Sequence, residues 1–155
     1  MKPVVYLRIA SLLTLIHAIL HTVGGVFGKP VSGQAAMIAA SMRTRFEVFG
    51  VMRSYADFYR GMGLGITIAL TMDAAVLWVL ASMARSESAR LRPILAVFCV
   101  GYIALTLNSL TFFFSGPVIA EILIVLCIGA AIFTAGRADG RGEVDAESEL
   151  KVAQS

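Results

Sequence analysis

Five side chains able to donate, accept or transfer a proton stand in stretches that are otherwise apolar: His17, His21, Asp73, Asn108 and Glu121. An imidazole exchanges a proton near neutrality, and a carboxyl group beside it in a water-poor site completes an acid–base pair. His21, Glu121 and Asp73 are therefore the candidate catalytic groups, acting on a lipid, sterol or quinone-like substrate as an isomerase would. His17 and Asn108 could orient such a molecule, and Arg53, Asp57 and Tyr59 lie in a polar segment suited to the mouth of a site.

Two other chemistries compete for the same residues. His17 and His21, four apart, could share a metal ion, with Asp73 or Glu121 completing the shell. The pattern lacks the glutamate of His-Glu-x-x-His, since Ala18 follows His17, and a haem between helices usually draws histidines from separate spans. No metal and no cofactor is assigned. The remaining alternative is that these groups hydrogen-bond one another and only fix helix packing, as in a structural or assembly subunit.

The elements that must position these residues are membrane helices. The chain has 155 residues, 58% of them hydrophobic and 15% charged, whereas soluble domains carry about a quarter charged residues. A spanning helix needs roughly 20 predominantly apolar residues. Such runs occur at about 9–28, 61–84, 93–115 and 117–136, with Ser115-Gly116-Pro117 as the breaker between the last two. The fold class expected is all-α: a four-transmembrane-helix bundle over 1–136 with a partly helical first loop at 29–60, followed by a polar, solvated C-terminal tail at 137–155. The first run resembles a signal peptide, but two histidines interrupt it and no small-x-small site follows, so it reads as a retained helix.

Polar and small residues recur as stripes within the spans. Ala10, Thr14, His17, His21, Gly24 and Gly28 share one face of the first, and Asp57, Gly61, Gly65, Ala69 and Asp73 follow every four residues in the second. Gly101, Ala104, Asn108, Thr111 and Ser115 form a stripe in the third, and Pro117 and Glu121 stand one turn apart in the fourth. Such faces are expected to point into a bundle, and Gly61-x-x-x-Gly65 could bring a second copy of the chain close as a homo-oligomer. At about 1.5 Å per residue, His21, Asn108 and Glu121 fall within roughly 10 Å of the outer boundary and His17 and Asp73 at about 17 and 20 Å, so all five could line one pocket opening toward the outer face.

In the loop, Ser32 can cap a short helix running through Met42. Beyond it Phe46, Phe49, Met52, Tyr55 and Tyr59 interleave with Arg43, Arg45, Glu47, Arg53 and Asp57, a mixture suited to the membrane interface as a connector or as a lid. Lys2, Arg8, Arg85, Arg90, Arg92, Arg137 and Arg141 fall on one side of the membrane, and Lys29, Arg43, Arg45, Arg53 and Arg60 on the other. That bias favours both termini on the cytoplasmic side of a multi-pass cell-membrane protein. The net charge of +3 is spread over the flanks, which argues against nucleic acid as a partner, and Cys99 and Cys127 read as small buried hydrophobes.

Several of these residues carry a resemblance. Leu7-Arg8-Ile9-Ala10, His17, His21-Thr22-x-Gly24, Phe46-x-x-x-Gly50-x-x-Arg53 and Asp57-Phe58-Tyr59-x-Gly61-x-Gly63 resemble a family of small four-helix bacterial integral membrane proteins without an assigned function. The likeness covers roughly the first half of the chain. It implies a four-helix architecture in a bacterial inner membrane and no particular reaction. The functional expectation is a lipid-embedded protein binding a lipophilic small molecule in a polar pocket, with membrane-embedded acid–base catalysis or a ligand-free structural role as the alternatives.

Overall fold

The computed structural model describes the backbone of residues 2–153 and the side chains of residues 2–135. Its elements are α1 (Lys2–Leu20), a π-helical continuation (His21–Val26), α2 (Gly33–Ser41), β1 (Arg45–Val48), β2 (Val51–Ser54), α3 (Tyr55–Met83), α4 (Arg92–Phe112) and α5 (Ser115–Ala153). Among the described residues, four helical segments are long and apolar enough to cross a membrane: Lys2–Val26, Tyr55–Met83, Arg92–Phe112 and Ser115–Ala135. The side chains of the polar tail at 137–155 lie outside the described residues.

The first two of these helices begin about six residues before the apolar runs do. Lys2 and Arg8 belong to α1, and Asp57 and Arg60 to α3. Long basic side chains extend the usable helix because their stems stay in apolar surroundings while their heads reach the boundary. The break between α4 and α5 falls at Phe113-Phe114, with Phe113 extended (φ −126°, ψ −177°). Ser115-Gly116-Pro117 instead forms the first turn of α5, where proline removes no helical hydrogen bond.

The chain divides into two compact units, one comprising residues 1–14 and 73–155 and the other residues 15–72. In the first, parts of α1, α3, α4 and α5 share one core: Leu7 and Ala10, Leu77, Leu80 and Ala81, Leu95 and Tyr102, Ile124, Ile128 and Ala131. The buried face of α4 is Leu95, Tyr102 and Ser109, repeating every seven residues. The stripe Gly101, Ala104, Asn108, Thr111 and Ser115 is exposed.

In the second unit, Ser32 caps α2 by accepting a hydrogen bond from Ala35 N at 3.1 Å. The aromatic and basic stretch beyond it is an antiparallel hairpin, with Arg45 opposite Ser54 and Val48 opposite Val51. Its two-residue turn, Phe49-Gly50, has both φ positive, 49° and 80°, the primed geometry that matches strand twist. An isolated hairpin is marginal in water. This one is held by Phe46, whose ring lies 4.9 Å from that of Tyr55 and 6.4 Å from that of Phe58.

Packing of α3 in this unit runs through Gly63 rather than Gly61 or Gly65. A Cβ at Gly63 would lie 2.9 Å from Val26 Cγ2, whereas one at Gly61 or Gly65 would meet nothing within 4 Å. A strict four-residue repeat advances about 40° per step around a helix of 3.6 residues per turn. Over the stripe from Asp57 to Asp73 that drift reaches about 160°, so its two ends occupy nearly opposite faces. Gly63→Leu should therefore destabilise the folded chain by about 1–3 kcal/mol in micelles, the range for overpacking. Gly65→Leu should shift equilibrium unfolding by under about 0.5 kcal/mol; equal losses from both would contradict this assignment of the contact face.

Candidate functional site

The polar side chains expected to line one pocket are distributed between the two units: Asp73, Asn108 and Glu121 in the first, His17, His21, Arg53, Asp57 and Tyr59 in the second.

In the first unit the phenol of Tyr102 is the meeting point. Its hydroxyl donates to Asp73 Oδ2 at 3.2 Å and lies 3.4 Å from Thr14 Oγ1, joining α4 to α3 and α1. Thr14 also donates to Ala10 O at 2.9 Å, and Ser11 donates to Ala74 O at 2.7 Å, a second bond from α1 to α3. Two turns along α4, Ser109 Oγ donates to Glu121 Oε1 at 2.9 Å. Glu121 is 4% exposed, and its Oε2 has no hydrogen-bond partner among the described residues. Asn108, next to Ser109, is exposed and makes no hydrogen bond among the described residues. At the start of α1, the Arg8 guanidinium lies 3.5 Å from the centre of the Trp78 ring and donates to Ser82 Oγ at 2.9 Å.

The second unit contains both histidines. His21 Nε2 lies 3.1 Å from Gly63 O; a carbonyl only accepts, so Nε2 carries the proton. Thr22 Oγ1 pairs with Thr67 Oγ1 at 2.9 Å, and Tyr59 OH donates to Gly25 O at 3.3 Å. These contacts join the π-helical segment to α3, and the i+5 bond from Phe27 N to Thr22 O marks its wider turn. His17 is 9% exposed, and its Nδ1 has no partner among the described residues. No group of three or more His, Cys, Asp or Glu side chains that could hold a metal is present among the described residues.

A different constellation occupies the interfacial segment of this unit. A hollow of about 310 Å³ is lined by Arg43, Arg45, Ser54, Ala56, Asp57 and Arg60. The hairpin creates it: β1 carries Arg45 opposite Ser54, and α3 follows directly with Ala56, Asp57 and Arg60 in its first two turns. Met42 O accepts from Ala56 N at 2.9 Å, which ties the residue before Arg43 to the same turn. Asp57 Oδ2 accepts from both the backbone N and the Oγ of Ser54, each at 2.9 Å. Among the described residues no carboxylate lies within 4.0 Å of the three lining guanidinium groups; the ion pair present is Arg90 with Glu87 on the surface.

Of the residues singled out from sequence, Asp57 lines this hollow. Arg53 is exposed on β2, with Nη1 donating to the adjacent Met52 O at 3.0 Å. Sequence reasoning missed Tyr102, Ser109, Arg43, Arg45 and Arg60. A seven-residue repeat of Leu95, Tyr102 and Ser109 was available in the sequence for the first two. A two-residue turn between Arg-Phe-Glu-Val and Val-Met-Arg-Ser was the available signal for the others.

The bonds inside the spans make a graded prediction. Tyr102→Phe should cost about 0.6–1.7 kcal/mol, from the average to the maximum measured for polar contacts between membrane helices. Ser109→Ala should cost more than Glu121→Gln, because alanine strands a second buried carboxyl oxygen while glutamine still accepts from Ser109. Equilibrium unfolding in mixed micelles gives the order, and a larger loss from Glu121→Gln would assign Glu121 a role beyond packing. Comparison with known proteins finds no matching family model, no similar curated protein and no similar solved structure.

Proposed function

We propose that this chain is an inner-membrane protein of bacterial type that captures the anionic headgroup of an amphiphilic molecule in the hollow of its interfacial segment. The observation that carries this reading is the convergence of Arg43, Arg45 and Arg60 on one hollow with no carboxylate at ion-pair distance among the described residues. Arginine presents a planar fork of donors matched to phosphate and carboxylate oxygens, so three guanidinium groups sharing a concavity with a single carboxylate, Asp57, favour an anion.

The surroundings favour an amphiphile over a free anion. α3 has 29 residues, about 43 Å at 1.5 Å per residue, against roughly 30 Å of hydrocarbon. Its first turns therefore extend into the headgroup layer, and Arg60 precedes the apolar run that starts at Gly61. Tyr55, Phe58, Tyr59 and Phe49 are all exposed in the same segment, as in the aromatic belts of membrane proteins. In this reading the polar pairs within the spans fix the helices, while recognition takes place at the surface.

With both termini cytoplasmic, as the Lys and Arg distribution favours, the hollow faces the outer leaflet. Gln34→Cys in a chain with Cys99 and Cys127 replaced by Ala should then react with a membrane-impermeant maleimide in intact spheroplasts. Reaction only after lysis would reverse the orientation. For the binding reading, wild-type protein extracted in mild detergent should retain anionic lipid detectable by mass spectrometry. The variant Arg43→Gln/Arg45→Gln/Arg60→Gln should lose most of that lipid; equal retention by the two proteins would remove the reading's support.

A further inference from the structure

Resting on the headgroup-binding reading above, we infer that the hollow selects a phosphomonoester, a terminal phosphate, over the phosphodiester of common anionic lipids. Three guanidinium groups and the Asp57 carboxylate leave a formal surplus of two positive charges in its lining. A phosphomonoester carries about −1.5 to −2 charges at pH 7 and three terminal acceptor oxygens. A diester has one charge and two such oxygens, so it leaves one guanidinium without an anionic partner.

Two features of the site sharpen the match. Asp57 is anchored through Oδ2 to the Ser54 backbone N and hydroxyl, and it feels the charge of Arg45 without lying within 4.0 Å of a lining guanidinium group among the described residues. That arrangement keeps the carboxylate fixed at the N-terminal turn of α3 and leaves the guanidinium forks free for a ligand. The volume of about 310 Å³ lies at the lower end of ligand sites, roughly 300–1,000 Å³, and suits a phosphate with a short stub. The exposed Tyr55 and Tyr59 stand in the same segment, where a lipid-borne phosphate would arrive.

The test uses the full chain in phosphatidylcholine nanodiscs containing equal mole fractions of phosphatidic acid or phosphatidylglycerol. Retained lipid is counted by native mass spectrometry. One additional charge-assisted hydrogen-bonded contact corresponds to a preference of about tenfold for phosphatidic acid. That preference should vanish in Arg43→Gln/Arg45→Gln/Arg60→Gln and persist in Lys29→Gln, which removes one positive charge outside the lining.

Equal retention of both lipids with arginine dependence would overturn the monoester assignment and leave headgroup binding standing. Retention of neither in an arginine-dependent way would overturn both. Soluble glycerol phosphate displacing phosphatidic acid from wild type supports the monoester and assigns it to a soluble source; failure to displace supports a lipid-borne one. If the triple variant does not fold, Arg60→Lys, which keeps charge but loses the fork, decides the matter. A reduced preference then supports the proposal, and an unchanged preference overturns it.

Discussion

Hydrocarbon offers no water to a polar group, so a hydroxyl or carboxyl placed within a membrane helix needs a partner from the protein. The Tyr102 hydroxyl is where this requirement binds the structure most tightly. It reaches Asp73 on α3 and Thr14 on α1 from the centre of α4, and the shared apolar core of the first unit surrounds it. A tyrosine suits this position because its ring is a large apolar body while its hydroxyl, at the far end, lies within reach of both neighbours. Movement of α4 relative to either neighbour would strand Asp73 as well as the phenol. Ser109 and Glu121 apply the same constraint between α4 and α5.

How much of this could be read from sequence depended on helix geometry at each stripe. The first span was legible as far as His17: Ala10, Thr14 and His17 mix steps of three and four and are buried, whereas Gly24 and Gly28 of the same stripe are exposed, because the π-helical turn from His21 alters the facing. In the second, a strict four-residue repeat spirals around the helix, so within the chain Gly61 and Gly65 are exposed and Gly63 packs against Val26. In the third, small size and polarity pointed to the Asn108 face. Leu95 and Tyr102 bury more apolar surface than Gly101 and Ala104 can, and they turned the opposite choice inward.

The interfacial segment was legible as membrane-surface material but not as structure. Large apolar and aromatic residues at intervals of three, Phe46, Phe49, Met52 and Tyr55, imitate a helix. The strands are only four residues each, too short for alternation to stand out. Once the hairpin closes, residues distant along the sequence, Arg43 and Arg60, come to line one concavity. No periodicity argument could have joined them, because the connection runs through a turn whose first central residue is a phenylalanine.

That phenylalanine has a consequence for how molecules would reach the hollow. Holding Phe49 in the left-handed region costs about 1–2 kcal/mol relative to a residue such as asparagine or glycine. Its ring is fully exposed, so no contact among the described residues offsets that strain. Immersion of the ring among acyl chains, worth about 1.5–3 kcal/mol, would offset it. A hairpin moored at its tip in this way would act as a keel lying in the lipid, and an amphiphile would then reach the proposed site sideways, from within the bilayer leaflet, without first crossing water.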